Sequence, residues 1–270
     1  WPRLAQAMGQ PELAEDPQYE ARFKREAEIA SAIGHANIVR VLDFNRLPDG
    51  TPYMVMERLE GEDLSVVLQR GPLDFERVAS ITRQTASALA AAHAAGVVHR
   101  DLKPSNVFLS MREVGGDVVE HVTVLDFGVS KIQDSTTVST DTRALVGTPQ
   151  YMAPEQAMGE NDRIGSKSDQ FALACLVYEM LTGKPAFAGD RLAEIVYKVC
   201  YSEPTAIDLL VPDLDRDVQA ALARAMSKSP ADRFDDVTDF AAALTGRPLE
   251  VLQRTPHKRM VRASAPPDSR

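Results

Sequence analysis

Two short stretches of this chain carry side chains that could do chemistry together. His99-Arg100-Asp101-Leu102-Lys103-Pro104-Ser105-Asn106 supplies a carboxylate, a cation two residues later and an amide five residues later; Asp126-Phe127-Gly128 supplies a second carboxylate where a strand gives way to a turn. Asn106 and Asp126 offer hard oxygen donors of the kind magnesium accepts, because that ion binds through few protein groups and keeps part of its water shell. Lys103 offers a compact positive charge two residues from the first carboxylate. Taken singly, each residue has an ordinary reading. A lone Asp is a helix cap or a surface charge, and Asp-Phe-Gly fits any strand end.

The elements that must position these residues can be read from periodicity and turn chemistry. Asp16-Pro17 opens a helix over about 17–33, with Tyr19, Phe23, Ala27 and Ala30 at helical spacing up to Gly34. Residues 38–43 and 51–57 read as an antiparallel pair across Pro48-Asp49-Gly50. Asp74 caps a helix to about residue 95, whose Val78, Ile81, Ala88, Leu89 and Ala92 form one stripe. Val107-Phe108-Leu109 and Val122-Thr123-Val124-Leu125 flank Gly115-Gly116 as a hairpin. From Ser168 the pattern is helical: an apolar run from Phe171 to Leu181, then helices near 190–200, 217–227 and 236–244.

Bulk properties narrow the class. With 270 residues, 44% of them apolar, the chain can form one large domain or two lobes. It contains no run long and apolar enough for a membrane span and no signal-peptide pattern at its start. Cys175 and Cys200 lie in apolar helical patterns, which favours packing over a disulfide or a metal site and suits a reducing cytoplasm. A net charge of −9 argues against a nucleic-acid partner for the surface as a whole.

The separated motifs, in this order, closely resemble the eukaryotic-like (Hanks-type) Ser/Thr protein kinases of bacteria over about residues 18–246. The resemblance implies an α+β, two-lobe protein-kinase fold with an incomplete small β-rich lobe and a mostly helical large lobe. The expected divisions are 1–57 for the partial first lobe, 58–247 for the second and 248–270 for a flexible basic tail. It also implies ATP and Mg2+ as cofactors and protein Ser/Thr hydroxyls as acceptors. By resemblance Asp101 accepts or orients the acceptor proton, Asn106 and Asp126 hold the metal, Lys103 reaches the transferred phosphate, and Thr148 faces the same aspartate. Met56 stands at the gatekeeper position, and backbone groups of Glu57 and Leu59 meet the adenine.

Further positions match structural and regulatory features of the family. Gly147-Thr148-Pro149-Gln150-Tyr151-Met152-Ala153-Pro154-Glu155 resembles the peptide-binding loop, with Glu155 expected to form a largely buried pair with Arg233. Asp169 matches the residue that anchors the catalytic-loop backbone. Arg100, before the catalytic aspartate, implies an activation loop ordered by phosphate, with Thr140 and Thr142 as autophosphorylation sites and self-association as one route to them. The excess length between Asp101 and Asp126 falls in Met111 to His121 and implies a lengthened hairpin.

One part of the family pattern is missing. Glu26 matches the helix glutamate that pairs with a strand lysine, yet residues 1–23 contain no lysine and no Gly-rich loop. A truncated active kinase is the first expectation, weak or inactive in this form; a pseudokinase scaffold or signalling interaction module is the alternative. A cytoplasmic location is expected, with any membrane anchor of a full-length protein lying beyond residue 270.

Overall fold

The computed structural model describes residues 33–48, 52–127 and 149–249. In chain order these form β1 (Val41–Arg46), β2 (Pro52–Met56), β3 (Glu62–Asp63), α1 (Leu64–Leu68), α2 (Phe75–Ala94), β4 (Val107–Val114) and β5 (Asp117–Val124). Then follow α3 (Pro154–Ala157), α4 (Ser166–Thr182), α5 (Leu192–Tyr201), α6 (Arg216–Ala225) and α7 (Val237–Thr245). The architecture is α+β, with a small strand-built part followed by a larger, mostly helical one. Glu26, Thr140, Thr142, Thr148 and residues 250–270 lie outside the described residues, as does the expected front edge of the first lobe.

The helical part is assembled around α4. From Ser168 to Leu181 nearly every residue of this helix is buried, including Phe171, Leu173, Leu176, Val177 and Met180. A helix apolar all round must sit inside, and α2, α6 and α7 pack against it. It stops at Gly183, whose φ of 68° suits a residue without Cβ and whose N–H returns to the Glu179 carbonyl.

Helix α2 follows from the stripe seen in sequence. Asp74 accepts a hydrogen bond from the Arg77 N–H at 2.9 Å, and Val78, Ile81, Ala88, Leu89 and Ala92 all turn inward. Its polar flank holds the β4–β5 hairpin. Arg77 Nη2 meets Glu120 Oε1 at 2.7 Å, and the Gln84 amide donates to the Glu120 carbonyl and accepts from the Val122 N–H. That side chain satisfies backbone groups on the open edge of β5, which blunts it as a template for other strands.

The hairpin is longer than the apolar residues alone suggest. Pairing runs without a break from Val107–Val124 to Val114–Asp117 around Gly115 and Gly116, whose φ values of 64° and 96° meet the demand of a two-residue turn. β1 starts later than expected, at Val41. Ile38 and Val39 are taken instead by the hairpin: Ile38 forms a parallel bridge with Val124, and the Val39 N–H donates to the Val124 carbonyl at 3.0 Å. Asn37 adds bonds from Nδ2 to the Val122 carbonyl and to Gln84, and His121 Nε2 donates to the Ala36 carbonyl. The segment before β1 is thereby fixed to the helical part.

Thr123, on β5, is the one described residue with a buried side-chain polar atom lacking a hydrogen-bond partner. A buried hydroxyl without a partner loses its hydration and gains nothing in return. Thr123→Val keeps the shape and removes that cost, so it is expected to stabilise the fold by about 1 kcal/mol, raising the thermal midpoint by roughly 2–4 °C. Differential scanning calorimetry of the two proteins measures it. Both cysteines are buried, and burial pushes the Cys175 thiol up to about 12, as suits packing groups. No described helix is long and apolar enough to cross a membrane.

Candidate active site

The loop from His99 to Asn106 leaves the C-terminal end of α2 and must turn sharply to reach β4. It does so through Arg100, whose φ is 63°. A side chain other than Gly is strained there and stays only if its surroundings hold it. Asp169, in the first turn of α4 and only 1% exposed, supplies the hold. Its Oδ2 accepts from the His99 N–H at 2.8 Å and from His93 Nε2 at 2.7 Å, and its Oδ1 accepts from the Arg100 N–H at 2.8 Å. Two adjacent amides gripped by one buried carboxylate fix the loop where it bends.

His99 extends the grip to the second motif. Its Nε2 donates to the Leu125 carbonyl at 2.9 Å, which leaves Nδ1 to accept the Asp101 N–H at 3.3 Å. Burial lowers the imidazole pKa beyond what Asp169 and its other neighbours restore, so the ring stays neutral in the tautomer those two bonds require. The ring packs against Phe127, with centroids 4.8 Å apart. The Leu125 N–H in turn donates to the Asn106 carbonyl at 2.9 Å. The residue before Asp126 is therefore bonded to both ends of the segment from His99 to Asn106.

The chemically apt side chains meet on this frame. Lys103 Nζ lies 2.7 Å from Asp101 Oδ2, and Asn106 Nδ2 donates to the Asp101 backbone carbonyl at 2.9 Å. Since the amide nitrogen of Asn106 is committed, its Oδ1 is the atom left for a ligand. Asp126 is exposed and has a φ of 51°, a second non-glycine residue in left-handed backbone, directed there by the Leu125 and Phe127 contacts on either side. An exposed carboxylate and an amide oxygen are donor types that suit a hard cation such as magnesium, and the bond from the Leu125 N–H to the Asn106 carbonyl keeps their segments adjacent.

The described chain continues from Pro149. Tyr151 is buried, and its hydroxyl donates to Glu179 Oε2 at 2.5 Å; burial raises both groups, so the tyrosine keeps its proton. Glu155, in α3, pairs with Arg233 through Oε1–Nη1 at 2.8 Å and Oε2–Nη2 at 2.9 Å, with side chains 1% and 0% exposed. Ser168 donates to Glu155, and Arg233 also donates to the carbonyls of Ser227, Lys167 and Lys228. Gln156 accepts from the Ala153 N–H and donates to the Arg100 carbonyl. His93, Gln156 and Glu179 were not legible as site groups, because none sits in a motif the sequence distinguishes; Tyr151 lies within the quoted loop, but its bond to Glu179 does not follow from that motif.

At the opposite side, Met56 ends β2 facing Val41 and is 41% exposed. The Glu57 N–H is taken by the Arg40 carbonyl at 3.0 Å, and Glu57 Oε1 accepts the Arg40 N–H. What Glu57 can offer a base is its carbonyl. Leu59, two residues on, is partly buried.

Comparison with known proteins agrees with this geometry. The protein kinase domain model matches residues 10–245. A probable serine/threonine-protein kinase of Corynebacterium efficiens is 37% identical over 269 residues, covering 96% of this chain and 39% of the relative. The serine/threonine-protein kinase pkn3 of Myxococcus xanthus is 40% identical over 238 residues, covering 86% of this chain and 43% of that protein. The chain thus spans about two fifths of the length of these curated relatives. Among solved structures, the PknI kinase domain of Mycobacterium tuberculosis superposes with a TM-score of 0.65 at 27% identity, over 88% of this chain and 82% of that one.

Proposed function

The chain belongs to the protein kinase domain family, and on that premise we propose that it is the catalytic part of a Ser/Thr protein kinase, moving the γ-phosphoryl group of ATP to Ser or Thr hydroxyls of proteins. The observation that carries the reading is the hold on Asp101: its carboxylate meets Lys103, its carbonyl meets Asn106, and its N–H meets His99, which also grips the segment before Asp126. Such a reaction needs little covalent help from the protein. It needs an acceptor oxygen aligned with the γ-phosphorus and a place for charge.

Asp101 orients the acceptor hydroxyl and takes its proton as the new P–O bond forms and the bond to the β,γ-bridging oxygen breaks, releasing ADP. Lys103 is placed to move from Asp101 to the transferred phosphoryl oxygens. Asn106 Oδ1 and the Asp126 carboxylate would hold magnesium, which when bound neutralises phosphate charge. The Glu57 carbonyl and Leu59 backbone would meet the adenine beside Met56. Arg100, with both backbone groups already bonded and its side chain exposed, is free to bind a phosphate on Thr140 or Thr142. Thr148 would complete the alignment of Asp101, and Glu26 the phosphate side.

Full-length protein given magnesium and γ-labelled ATP is expected to label a Ser/Thr protein substrate. Phosphate should accumulate on its own Thr140 or Thr142 and be absent in Asp126→Asn, as read by mass spectrometry. Full-length protein that transfers no label would favour the scaffold role instead.

A further inference from the structure

Gln156 joins two parts of the site that no motif connects. It is the third residue of the short helix α3, and its Oε1 accepts the N–H of Ala153, the residue before that helix, at 3.1 Å. This is the reciprocal half of a capping box, and it fixes the side-chain amide in one orientation. The remaining donor, Nε2, reaches out of the helix and donates to the Arg100 carbonyl at 2.9 Å.

That carbonyl belongs to the peptide between Arg100 and Asp101, whose N–H end rests on His99 Nδ1. The peptide is thus held at its oxygen by the substrate-side loop and at its nitrogen by the loop's own histidine. It follows directly on a residue in strained, left-handed backbone, where a change of peptide plane would relieve strain and swing the Asp101 carboxylate. Of the backbone groups of Arg100, Asp169 holds the N–H, on the other side of that residue's Cα from the carbonyl.

We infer that Gln156 is a positioning residue for phosphoryl transfer, setting the Arg100–Asp101 peptide plane, and with it the Asp101 carboxylate, according to whether the peptide-binding loop is seated. The inference rests on Asp101 being the catalytic carboxylate. It predicts a loss in kcat with no change in the ATP site, because the Gln156 amide bonds to the loop behind Asp101 and, among the described residues, to none of Met56, Glu57, Leu59, Asn106 and Asp126.

Two variants separate this from a general packing role. Gln156→Ala removes both bonds and should lower kcat about 5–10-fold, the worth of one neutral hydrogen bond, with the KM for ATP and the thermal midpoint near those of the parent. Gln156→Glu keeps the acceptor for Ala153 but sets a carboxylate against the Arg100 carbonyl. When protonated it can donate again, so its kcat relative to the parent should rise as pH is lowered from about 8 to about 5.5. Independently of turnover, hydrogen exchange at the Asp101 amide, followed by mass spectrometry in full-length protein, should accelerate in Gln156→Ala. Unchanged exchange overturns the inference even if no kinase activity is found. A parent-like kcat in Gln156→Ala, or a Gln156→Glu ratio independent of pH, overturns it where activity is present. A parent enzyme without transfer, but with faster exchange in the variant, overturns the functional reading and leaves the clamp standing.

Discussion

Asp101→Asn is expected to reduce phosphoryl transfer by about three orders of magnitude, within the range found when a positioned acid or base is removed, while leaving the thermal midpoint nearly unchanged. The two halves of that expectation come from different atoms of the same residue. The backbone of Asp101 belongs to the frame: its N–H rests on His99 and its carbonyl on Asn106, and neither bond depends on the side chain. The carboxylate faces Lys103 at 2.7 Å and is partly buried, with 13% of its side chain exposed, and an exchange of Asp for the near-isosteric Asn alters little packing. The neutral amide can still touch an acceptor hydroxyl. It cannot take the proton, and it no longer holds Lys103 near the reacting atoms by charge. Steady-state kinetics on the full-length protein, paired with a thermal melt, measures both halves. Activity kept within about tenfold of the parent would remove Asp101 from the chemistry.

How much of this was legible beforehand depended on whether a residue's role lies within its own segment. Helix α2 could be read because its cap, its stripe and its end are local, and the observed Phe75–Ala94 departs little from the sequence boundaries. The hairpin could be read from Gly115-Gly116 and its added length from the excess between Asp101 and Asp126, although Ser110 to Val114 and Asp117 to His121 are polar enough to pass for loop when read alone. Backbone pairing carried past the apolar residues because a two-residue turn leaves no slack. β1 shifted because Ile38 and Val39 had a better partner in Val124, a contact spanning 86 residues in sequence that no window contains.

Other site features were hidden for a more specific reason. Arg100 and Asp126 adopt left-handed backbone that their residue types disfavour, and only the Asp169, His99 and Asn106 contacts explain it. Gly61 looks like any loop glycine in Glu60-Gly61-Glu62. In the fold, with φ at 148°, a Cβ there would lie 2.0 Å from the Leu109 carbonyl oxygen. Its identity is dictated by a strand met much later in the chain. The motif residues were legible through resemblance; the groups that hold them, His93 and Gln156 above all, were legible only through contact.

Arg233→Ala is expected to destabilise the fold by about 3–5 kcal/mol, because it strands a buried carboxylate rather than merely removing a contact. Glu155 would keep Ser168 as a donor and lose both nitrogens of the guanidinium, and the carbonyls of Ser227, Lys167 and Lys228 would lose theirs. For a domain of this size that corresponds to a fall of about 10 °C in the thermal midpoint. The pH dependence fixes the cause. Burial alone raises the Glu155 carboxyl, but the bonds and charge of Arg233, with Ser168, outweigh it and leave the group below its ordinary value. A carboxylate whose folded pKa is depressed contributes stability that is complete above its unfolded value, about 4.3, and is lost as pH falls through the folded one. In Arg233→Ala burial is opposed only by Ser168 and a backbone N–H, so Glu155 should be raised and take up a proton sooner, which relieves the stranded charge. The gap between parent and variant should therefore be widest near neutral pH and close as pH drops below about 4.5. A gap of the same size at both ends of that range would mean that packing of the arginine against Phe171, at 4.9 Å, matters more than its charge. Because Glu155 and Gln156 are neighbours in α3, loss of the pair should also loosen the helix that carries the clamp on the Arg100 carbonyl, so activity should fall before the domain unfolds.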